Sequence, residues 1–385
     1  LGVTFKTGVE VGKDISLVDL RKEGFQAFYL AIGAQGGRPL GIEGEDAQGV
    51  IAGVDFVRRV NLGEPIKLTG NTIVIGGGNV AIDVARNAVR LSDDTVSLYC
   101  LESREQMPAL TEEIDEALHE HIAINNSWGP KRILTENGKV VGVEFKKCIS
   151  VFDENKRFKP VYDENDLVQI KANNVIISVG QTIEWGGLLE DTSCVVNPNK
   201  TVKADALTYQ TNHNDIFVGG DAFTGPKFAI DAIAAGKQGA ISIHRFVQPG
   251  QSLVFGRSQR QYHALNKDEI DFDSFDRMPR QSVQHVDFEQ KADAFKDNRL
   301  TFTQEQVQKE TERCLGCGAT VVDQYMCVGC GSCVTKCKFG AITLKRVYNG
   351  AGVAFEDLKP VVVKTVLKRK GKIAIRKVQD AFVRK

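Results

Sequence analysis

The segment NTIVIGGGNVAIDVARNAVRL, from Asn71 to Leu91, constrains the fold of this chain more than any other stretch. The short β-branched run Thr72–Ile75 leads directly into Gly76-Gly77-Gly78, and apolar residues then recur at helical spacing from Ala81 to Arg90. The pattern predicts a strand, a tight turn and an amphipathic helix. Strand, glycine turn and helix in this order are typical of nucleotide-binding α/β folds.

The turn reads G-x-G-x-x-A, and each of its small residues has a physical reason. Gly76 permits the tight turn, Gly78 lets the backbone approach a pyrophosphate, and Ala81 lets helix and strand pack closely. The helix N-terminus offers unpaired N–H groups and a positive dipole end to the phosphates. The next predicted strand, TVSLYCLES, carries Glu102 where a carboxylate would bind the adenosine ribose hydroxyls. A glycine turn that binds nothing is the competing interpretation, and the flanking strand, helix and acid disfavour it.

Length and composition limit the number of domains and the class of protein. A chain of 385 residues predicts two or three domains, and 42% hydrophobic with 25% charged residues is typical of a globular protein. Lys+Arg and Asp+Glu balance at 49 each, so the net charge indicates no class of partner. No stretch approaches the roughly 18 apolar residues of a membrane helix. The nine cysteines are clustered rather than spread in pairs, which disfavours an extracellular disulfide framework and favours a cytoplasmic location.

Six of those cysteines lie between Cys314 and Cys337. The run Cys327-x2-Cys330-x2-Cys333-x3-Cys337 has the spacing of bacterial ferredoxins, in which three close thiolates converge on one iron–sulfur cluster. A zinc site or a set of disulfides is the alternative, and zinc would leave two cysteines unused. The zinc alternative would use Cys314, Cys317, Cys327 and Cys330.

The number of cysteines limits the number of clusters. A cluster ligated only by cysteine takes a set of four thiolates, so six cysteines complete one such cluster and leave two over. We expect Cys327, Cys330 and Cys333 to share one cluster, with Cys314 or Cys317 as the remaining ligand. A second cluster would need a ligand of another type or from another segment. The predicted metal-ligating residues are Cys314, Cys317, Cys327, Cys330, Cys333 and Cys337.

Three further regions combine a strand with glycines. FQAFYLAIGAQGGRPLGIEGED places a strand, Ala27 to Ile32, before Gly33, and NNVIISVGQ places another before Gly180. DIFVGGDAFTGPKFAIDAIAAGKQGAISIHRF predicts a strand, a turn through Asp221 and a long helix that Gly225 and Pro226 would start.

These motifs resemble the pyridine-nucleotide flavoproteins related to the small subunit of bacterial glutamate synthase. They resemble equally the flavoprotein subunits of electron-bifurcating NADH/ferredoxin enzymes. The resemblance covers most of residues 1–247 and resumes at ETERCLGCG. It implies an FAD domain with a nicotinamide domain inserted into it, and a hydride passing from nicotinamide to flavin. It also implies that six residues contact the flavin: Gly33, Gly180, Gly220, Asp221, Gly225 and Pro226. Asp221 would hydrogen-bond the ribityl chain of the flavin.

The expected fold class is therefore α/β, with two interleaved Rossmann-like nucleotide-binding domains and a small ferredoxin-like α+β iron–sulfur domain. The family's own glycine-rich FAD loop has no counterpart before Gly76, so we expect the FAD domain to be incomplete at its N-terminus. The expected divisions are an FAD-binding domain (1–49 and 182–247), an NAD(H)-binding domain (50–181), a linker (248–310), an iron–sulfur domain (311–348) and a basic C-terminal tail (349–385).

The choice of coenzyme depends on the end of the second strand. NADPH-using relatives carry two arginines there, before a Met-Pro-Ala turn, and Leu101 and Glu102 occupy those positions here. A carboxylate repels a 2′-phosphate and accepts hydrogen bonds from a free 2′-hydroxyl, so we expect NAD(H) over NADP(H). Arg104 lies close enough in sequence to restore phosphate binding. The predicted coenzyme-binding residues are Gly76, Gly78, Asn79, Val80, Ala81, Glu102 and Arg104.

The C-terminal segment is basic, with ten Lys or Arg residues against Asp380 from Lys359 onward. Its pattern suggests strands, and we expect a solvated surface or a docking surface for an acidic partner, with nucleic acid a weaker choice.

Together these features predict an NADH-linked flavoprotein subunit that passes electrons between NAD(H), FAD and one or two [4Fe–4S] clusters. Its expected partners are other iron–sulfur or flavin subunits, or ferredoxin. The alternatives are an NADPH-dependent glutamate synthase small subunit and, in another class, a zinc-stapled nucleotide-binding scaffold.

Overall fold

The computed structural model divides the chain into two compact units, Leu1–Glu312 and Arg313–Lys385, which are described separately. For residue 355 and residues 376–383 it describes the backbone alone. The described residues are 2–257, 266, 269, 278–286, 295, 299–314, 322, 327–337, 340, 342–345 and 355–383.

A five-stranded parallel sheet forms the centre of the first unit. Its strands are β3 (Val50–Ala52), β4 (Thr72–Ile75), β5 (Val96–Tyr99), β6 (Ala123–Asn125) and β10 (Asn174–Ile177). They lie in the order β3-β10-β4-β5-β6, so β4 is central and is buried at every position. A short β-branched run without polar alternation is what burial on both faces requires. The strand predicted at 72–75 is confirmed.

Helices cover one face of this sheet. They are α2 (Gly53–Asn61), α3 (Asn79–Leu91) and α4 (Thr111–His119). Val74 of β4 and Leu98 of β5 point to this side, where they pack in one core with Phe56, Ile82 and Ile114.

Ion pairs fasten α3 to the end of α4. Glu120 is 2% exposed and accepts from Arg86 Nη2 at 2.8 Å and from Arg90 Nη1 at 2.7 Å. Burial acts to raise the pKa of Glu120, but the hydrogen bonds from Arg90 and Arg86 outweigh it and lower that pKa. The pairs therefore help to set the position of α3 and of the glycine loop that precedes it.

An antiparallel sheet covers the other face. We call it the meander, and it consists of β7 (Trp128–Glu136), β8 (Lys139–Phe152) and β9 (Phe158–Lys171) in sequence order. Ile73 and Ile75, which alternate with Val74 along β4, pack on this side with Val143 and Phe145. The rings of Tyr99 and Phe145 stack with centroids 4.3 Å apart. The central sheet thus lies between a helical layer and the meander.

The segments before and after this region meet in a separate core. Strand β1 (Phe28–Leu30) pairs in parallel with β12 (Ile216–Val218), and β2 (Gly36–Gly37) pairs antiparallel with β11 (Gln181–Thr182). Helices α1 (Leu17–Lys22), α5 (Asp221–Thr224), α6 (Ala229–Phe246) and α7 (Gln304–Glu312) complete the first unit's described helices. One α/β fold is therefore inserted into another, which agrees with the fold class expected from the sequence.

The second unit contains α8 (Ser332–Lys336) and α9 (Leu358–Val383). The prediction of strands for the basic tail was wrong, because 26 residues of it form α9. Pro360 lies in the first turn, where its missing N–H breaks no helical hydrogen bond, and Lys and Arg are good helix formers. Among the described residues, no helix is both long and apolar enough to cross a membrane.

Candidate functional site

A cavity of about 660 Å³ opens where β4, β5 and β10 end. The last residue of each strand (Ile75, Tyr99 and Ile177) lines it, and the glycine loop, the meander and the segment after β2 form its walls. Ligands of open α/β sheets bind outside the carboxyl ends of the strands. The volume falls within the range of ligand pockets, roughly 300–1,000 Å³.

The glycine loop has room for a phosphate at one of its three residues. Gly76 has φ +145°, and a Cβ there would collide with the carbonyl oxygen of Ser178, so this glycine is required by the fold. Gly78 is the N-cap of α3, with φ −92° and no side-chain cap, and a Cβ there would meet nothing within 4 Å. A dinucleotide fits this arrangement, because its pyrophosphate can approach the open backbone at Gly78 and the start of α3.

Neighbouring residues fix the loop from outside. Asn79 Oδ1 accepts from the N–H of Leu110 at 2.8 Å, and the N–H of Ala109 donates to the carbonyl of Gly77 at 3.2 Å. Val80 lines the cavity, while Ala81 is fully buried behind it. The side chain of Asn79 thus ties the Met-Pro-Ala turn to α3.

Glu102 lies directly against the loop. A Cβ at Gly77 would come within 2.6 Å of Glu102 Oε2, which explains why the middle residue of the loop is also glycine. Burial raises the pKa of the Glu102 carboxyl. An acceptor of this kind, on the cavity wall, is suited to the hydroxyls of a ribose.

Arg104 lies outside the cavity lining. It begins a short 3-10 turn, Arg104–Gln106, and its Nη2 donates to Asp115 at 3.2 Å. Its Nη1 is buried and has no hydrogen-bond partner among the described residues. The structure therefore brings Glu102, but not Arg104, to the predicted coenzyme cavity.

The meander supplies a wall that sequence reasoning missed. Tyr162 lies across Gly129, where a Cβ would collide with its ring. The ammonium of Lys146 stands 4.1 Å from the ring centroid of Tyr162, and that of Lys147 stands 4.6 Å from the ring centroid of Trp128. Lys146 and Lys147 in β8 and Tyr162 in β9 carry no local sequence signal for this wall, which only the sheet pairing reveals.

Only two of the residues predicted to contact flavin line this cavity. Gly180, with φ +122°, and Pro226 line the same cavity as the glycine loop, and Arg38 donates its N–H to the Gly180 carbonyl at 3.1 Å. Arg38 and Ser178, whose Oγ is buried without a partner among the described residues, are further lining residues that sequence reasoning missed. The other predicted residues lie outside this lining: Gly33, Gly220, Asp221 and Gly225.

The helix expected to start at Gly225 and Pro226 begins instead at Ala229, with Phe228 as its N-cap. Gly225 has φ +78° and ends α5, and Asp221 Oδ1 accepts from the N–H of Lys227 at 3.1 Å, which holds the intervening turn. A Cβ at Gly225 would meet nothing within 4 Å. This open backbone suits the close approach of a flat cofactor such as flavin.

Thiol chemistry in the cavity is disfavoured. Cys100 lines the cavity, but burial raises the pKa of its thiol to about 12. The thiolate, which is the reactive form, is therefore scarcely formed at neutral pH.

The clustered cysteines belong to the second unit. Cys327, Cys330 and Cys333 are exposed, and the hydrogen bond to the Ser332 hydroxyl lowers the pKa of Cys330. Cys314 is also exposed, whereas Cys317 lies outside the described residues. Across the described part of the chain, no three His, Cys, Asp or Glu side chains are gathered as a metal-ion site. The donor set fits an iron–sulfur cluster by its chemistry, since accessible thiolates are the usual ligands of such clusters.

Comparison with known proteins finds one family match in each of the two units. Residues 3–236 match the family described as pyridine nucleotide-disulphide oxidoreductase, and residues 320–343 match the 4Fe-4S binding domain. The first of these families binds FAD and NAD(P)H, and the second holds a [4Fe–4S] cluster.

Three relatives are each 28% identical to this chain. They are the NADP(+)-dependent formate dehydrogenase subunit beta of Moorella thermoacetica (82% of this chain, 46% of the relative), the NADPH-Fe(3+) oxidoreductase subunit beta of Geobacter sulfurreducens (82% and 52%) and the glutamate synthase [NADPH] small chain of Escherichia coli (64% and 56%). The chain thus spans about half the length of the curated relatives it matches.

Among solved structures, Mycobacterium tuberculosis FprA in complex with NADPH has a similar fold, with a TM-score of 0.52 at 18% identity. The match covers 62% of this chain and 67% of FprA. Since the first family match covers well over half of the sequence, the chain belongs to the pyridine nucleotide-disulphide oxidoreductase family and carries a 4Fe-4S binding domain near its C-terminal end.

Proposed function

We propose that this chain passes electrons between NAD(H), FAD and a [4Fe–4S] cluster, and from there to a partner subunit or a ferredoxin. The observation that carries the proposal is the presence, in one chain, of a coenzyme cavity at the ends of parallel strands and a matched 4Fe-4S binding domain. When bound, the nicotinamide supplies a hydride, the flavin takes up its electron pair, and the cluster carries single electrons. The direction of electron transfer depends on the reduction potential of the partner relative to that of NAD⁺/NADH.

The residues of the chain position the coenzyme. The open backbone at Gly78 and the N-terminus of α3 would receive the pyrophosphate, and Glu102 would accept hydrogen bonds from the adenosine ribose. Gly180 and Pro226, on the same cavity, would lie on the side that faces the flavin. The domain limits given above (1–49 with 182–247, 50–181 and 311–348) are part of this proposal.

NADH is the proposed coenzyme. Several relatives are named for NADP(H), but β5 of this chain is followed by Leu101 and Glu102, and Glu102 lines the cavity. A carboxylate in this place favours a free 2′-hydroxyl over a 2′-phosphate. A kcat/KM for NADPH equal to or above that for NADH would overturn this part of the proposal.

The proposed ligands of the cluster are Cys327, Cys330 and Cys333, completed by Cys314 or Cys317. In a second cluster, Cys337 would be a ligand together with the remaining one of these two cysteines. The basic helix α9, in the same unit, is the proposed docking surface for an acidic partner. Exposed thiols and cluster ligands suit a reducing cytoplasm.

A second candidate function is that of a glutamate synthase small subunit, which the relation to the Escherichia coli small chain favours. The two functions differ in their partner, because the glutamate synthase role requires an amidotransferase subunit that consumes the electrons. Glutamate formation from glutamine and 2-oxoglutarate in the purified complex would establish the second function.

Anaerobic purification of the full-length protein tests the proposal. We expect flavin, iron and sulfide in the preparation, and visible flavin absorbance that NADH bleaches in the absence of air. Stoichiometric zinc without iron, or flavin that neither NADH nor NADPH bleaches, would refute it. The first of these results would favour a nucleotide-binding scaffold instead.

A further inference from the structure

The adenosine end of the cavity lacks a cation on β5. Leu101 and Glu102 follow that strand, and the next basic residue, Arg104, is held by Asp115 and lies outside the lining. A cation that faces the same end of the cavity therefore has to come from another element.

The meander brings one there. A Cβ at Gly129 would lie 2.9 Å from Leu101 Cδ2 and would collide with the ring of Tyr162, so the three residues pack together. Lys146 Nζ stands 4.1 Å from the centroid of that same ring. Leu101, Gly129, Tyr162 and Lys146 thus form a continuous series of contacts from the end of β5 to a lysine, and Lys146 and Tyr162 both line the cavity.

The ammonium group of Lys146 already forms an ion pair with Glu164. Lys146 Nζ lies 2.8 Å from Glu164 Oε1, and its side chain is 20% exposed whereas that of Glu164 is 62% exposed. Ion pairs with a solvent-exposed partner are weak and readily exchanged. A lysine ammonium binds phosphate as a point charge, so a phosphate at this end of the cavity would compete with Glu164 for Lys146.

We propose that Lys146 and Glu164 together determine selectivity at the 2′ position of the adenosine ribose. In the wild-type chain Glu164 neutralises Lys146, and Glu102 repels a 2′-phosphate, so the unphosphorylated ribose is preferred. Without Glu164, Lys146 becomes a phosphate ligand in the place of the absent arginines. This inference rests on the proposed coenzyme cavity, and it assigns a role in specificity, not in catalysis.

Calorimetric binding of two ligands to the oxidised full-length protein tests it. ADP-ribose and 2′-phospho-ADP-ribose differ only in the phosphate, and neither undergoes a redox reaction. Glu164→Gln should tighten binding of the phosphorylated ligand about fivefold, the order expected for one partly exposed ion pair, and leave ADP-ribose unchanged. Adding Lys146→Gln to Glu164→Gln should abolish that gain and leave the affinity for ADP-ribose unchanged.

Asp166→Asn is the matched control, since it removes an exposed carboxylate from the same strand, and it should alter neither affinity. The gain from Glu164→Gln should also shrink as salt is added, because the contact is electrostatic.

An unchanged affinity ratio in Glu164→Gln, or a gain that persists in the double variant, would overturn the inference while leaving the coenzyme site in place. Failure of the wild-type protein to bind either ligand would overturn the coenzyme site and the inference with it.

Discussion

Replacing Gly78 by alanine should weaken coenzyme binding and leave the stability of the fold nearly unchanged. The backbone of Gly78, with φ −92° and ψ 174°, is open to any L-residue, and the added Cβ would meet nothing within 4 Å. Alanine lowers the entropy of the unfolded chain, which stabilises the fold by about 0.4–1 kcal/mol, and it is a poorer N-cap than glycine by roughly 0.5 kcal/mol. These effects offset one another, so the free energy of unfolding should change by less than about 0.5 kcal/mol.

The same methyl group would occupy the place that the pyrophosphate approaches. Contact between an anion and a helix N-terminus contributes up to about 2 kcal/mol in partly buried sites. Since about 1.4 kcal/mol is a factor of ten, loss of this contact should raise the Kd for ADP-ribose by roughly ten- to thirtyfold. Isothermal calorimetry measures the affinity, and urea denaturation measures the free energy of unfolding of the same preparation.

Gly76→Ala is the matched control. Gly76 has φ +145°, and a Cβ there would collide with the Ser178 carbonyl oxygen, so this variant should lose about 2 kcal/mol or more of stability. The reasoning is refuted if Gly78→Ala binds ADP-ribose as tightly as the wild type. It is equally refuted if the two alanine variants are destabilised by the same amount.

Three further predictions follow from other parts of the chain. Glu120→Gln should destabilise the protein by about 3 kcal/mol in urea denaturation, because it removes the buried carboxylate that Arg86 and Arg90 share, while Arg86 keeps its ion pair with Glu116. Since the pKa of Glu120 is lowered, the difference from wild type should vanish as the pH falls below the ordinary glutamate range. Glu102→Gln should weaken ADP-ribose binding in calorimetry. Its stability relative to wild type should increase as the pH rises above the ordinary glutamate range, because the raised pKa of half-buried Glu102 means that the ionised carboxylate is disfavoured in the folded state only. Cys333→Ser should lower the iron content of the purified protein and leave ADP-ribose binding unchanged, and equal iron in variant and wild type would count against Cys333 as a ligand.

The strand, turn and helix around Gly76 could be predicted because every local preference agrees there. The β-branched run matches the buried strand β4, and the helical spacing that follows matches α3. The fold class followed from the same agreement, repeated in other segments of the chain.

The basic tail was mispredicted because its local preferences conflict. Valine and isoleucine, as at Val361–Val363, favour strands on their own, whereas the lysines and arginines between them favour the helix that forms. The start of α6 was also misplaced, since the turn before it depends on the side chain of Asp221 rather than on Pro226.

The meander wall could not be read from local sequence at all. Tyr162 of β9 contacts Gly129 of β7, and Lys146 reaches the cavity only because β8 pairs with β9. Residues on three separate strands come together through register, and register is a property of the folded sheet. The presence of the glycine loop and Glu102 in the cavity lining was therefore predictable, and the wall formed by the meander was not.

In the proposed function, electrons pass between the nicotinamide and the cluster within this protein. The measurement reduces the anaerobic full-length protein completely with dithionite, removes the reductant, and adds NAD⁺ in large excess, so that mass action favours oxidation of both centres, while the iron–sulfur and flavin absorbances are recorded. Both absorbances should return to their oxidised values, and NADH should form in proportion to the electrons lost from both centres. Recovery of the flavin absorbance alone, with the iron–sulfur absorbance still bleached, would contradict it.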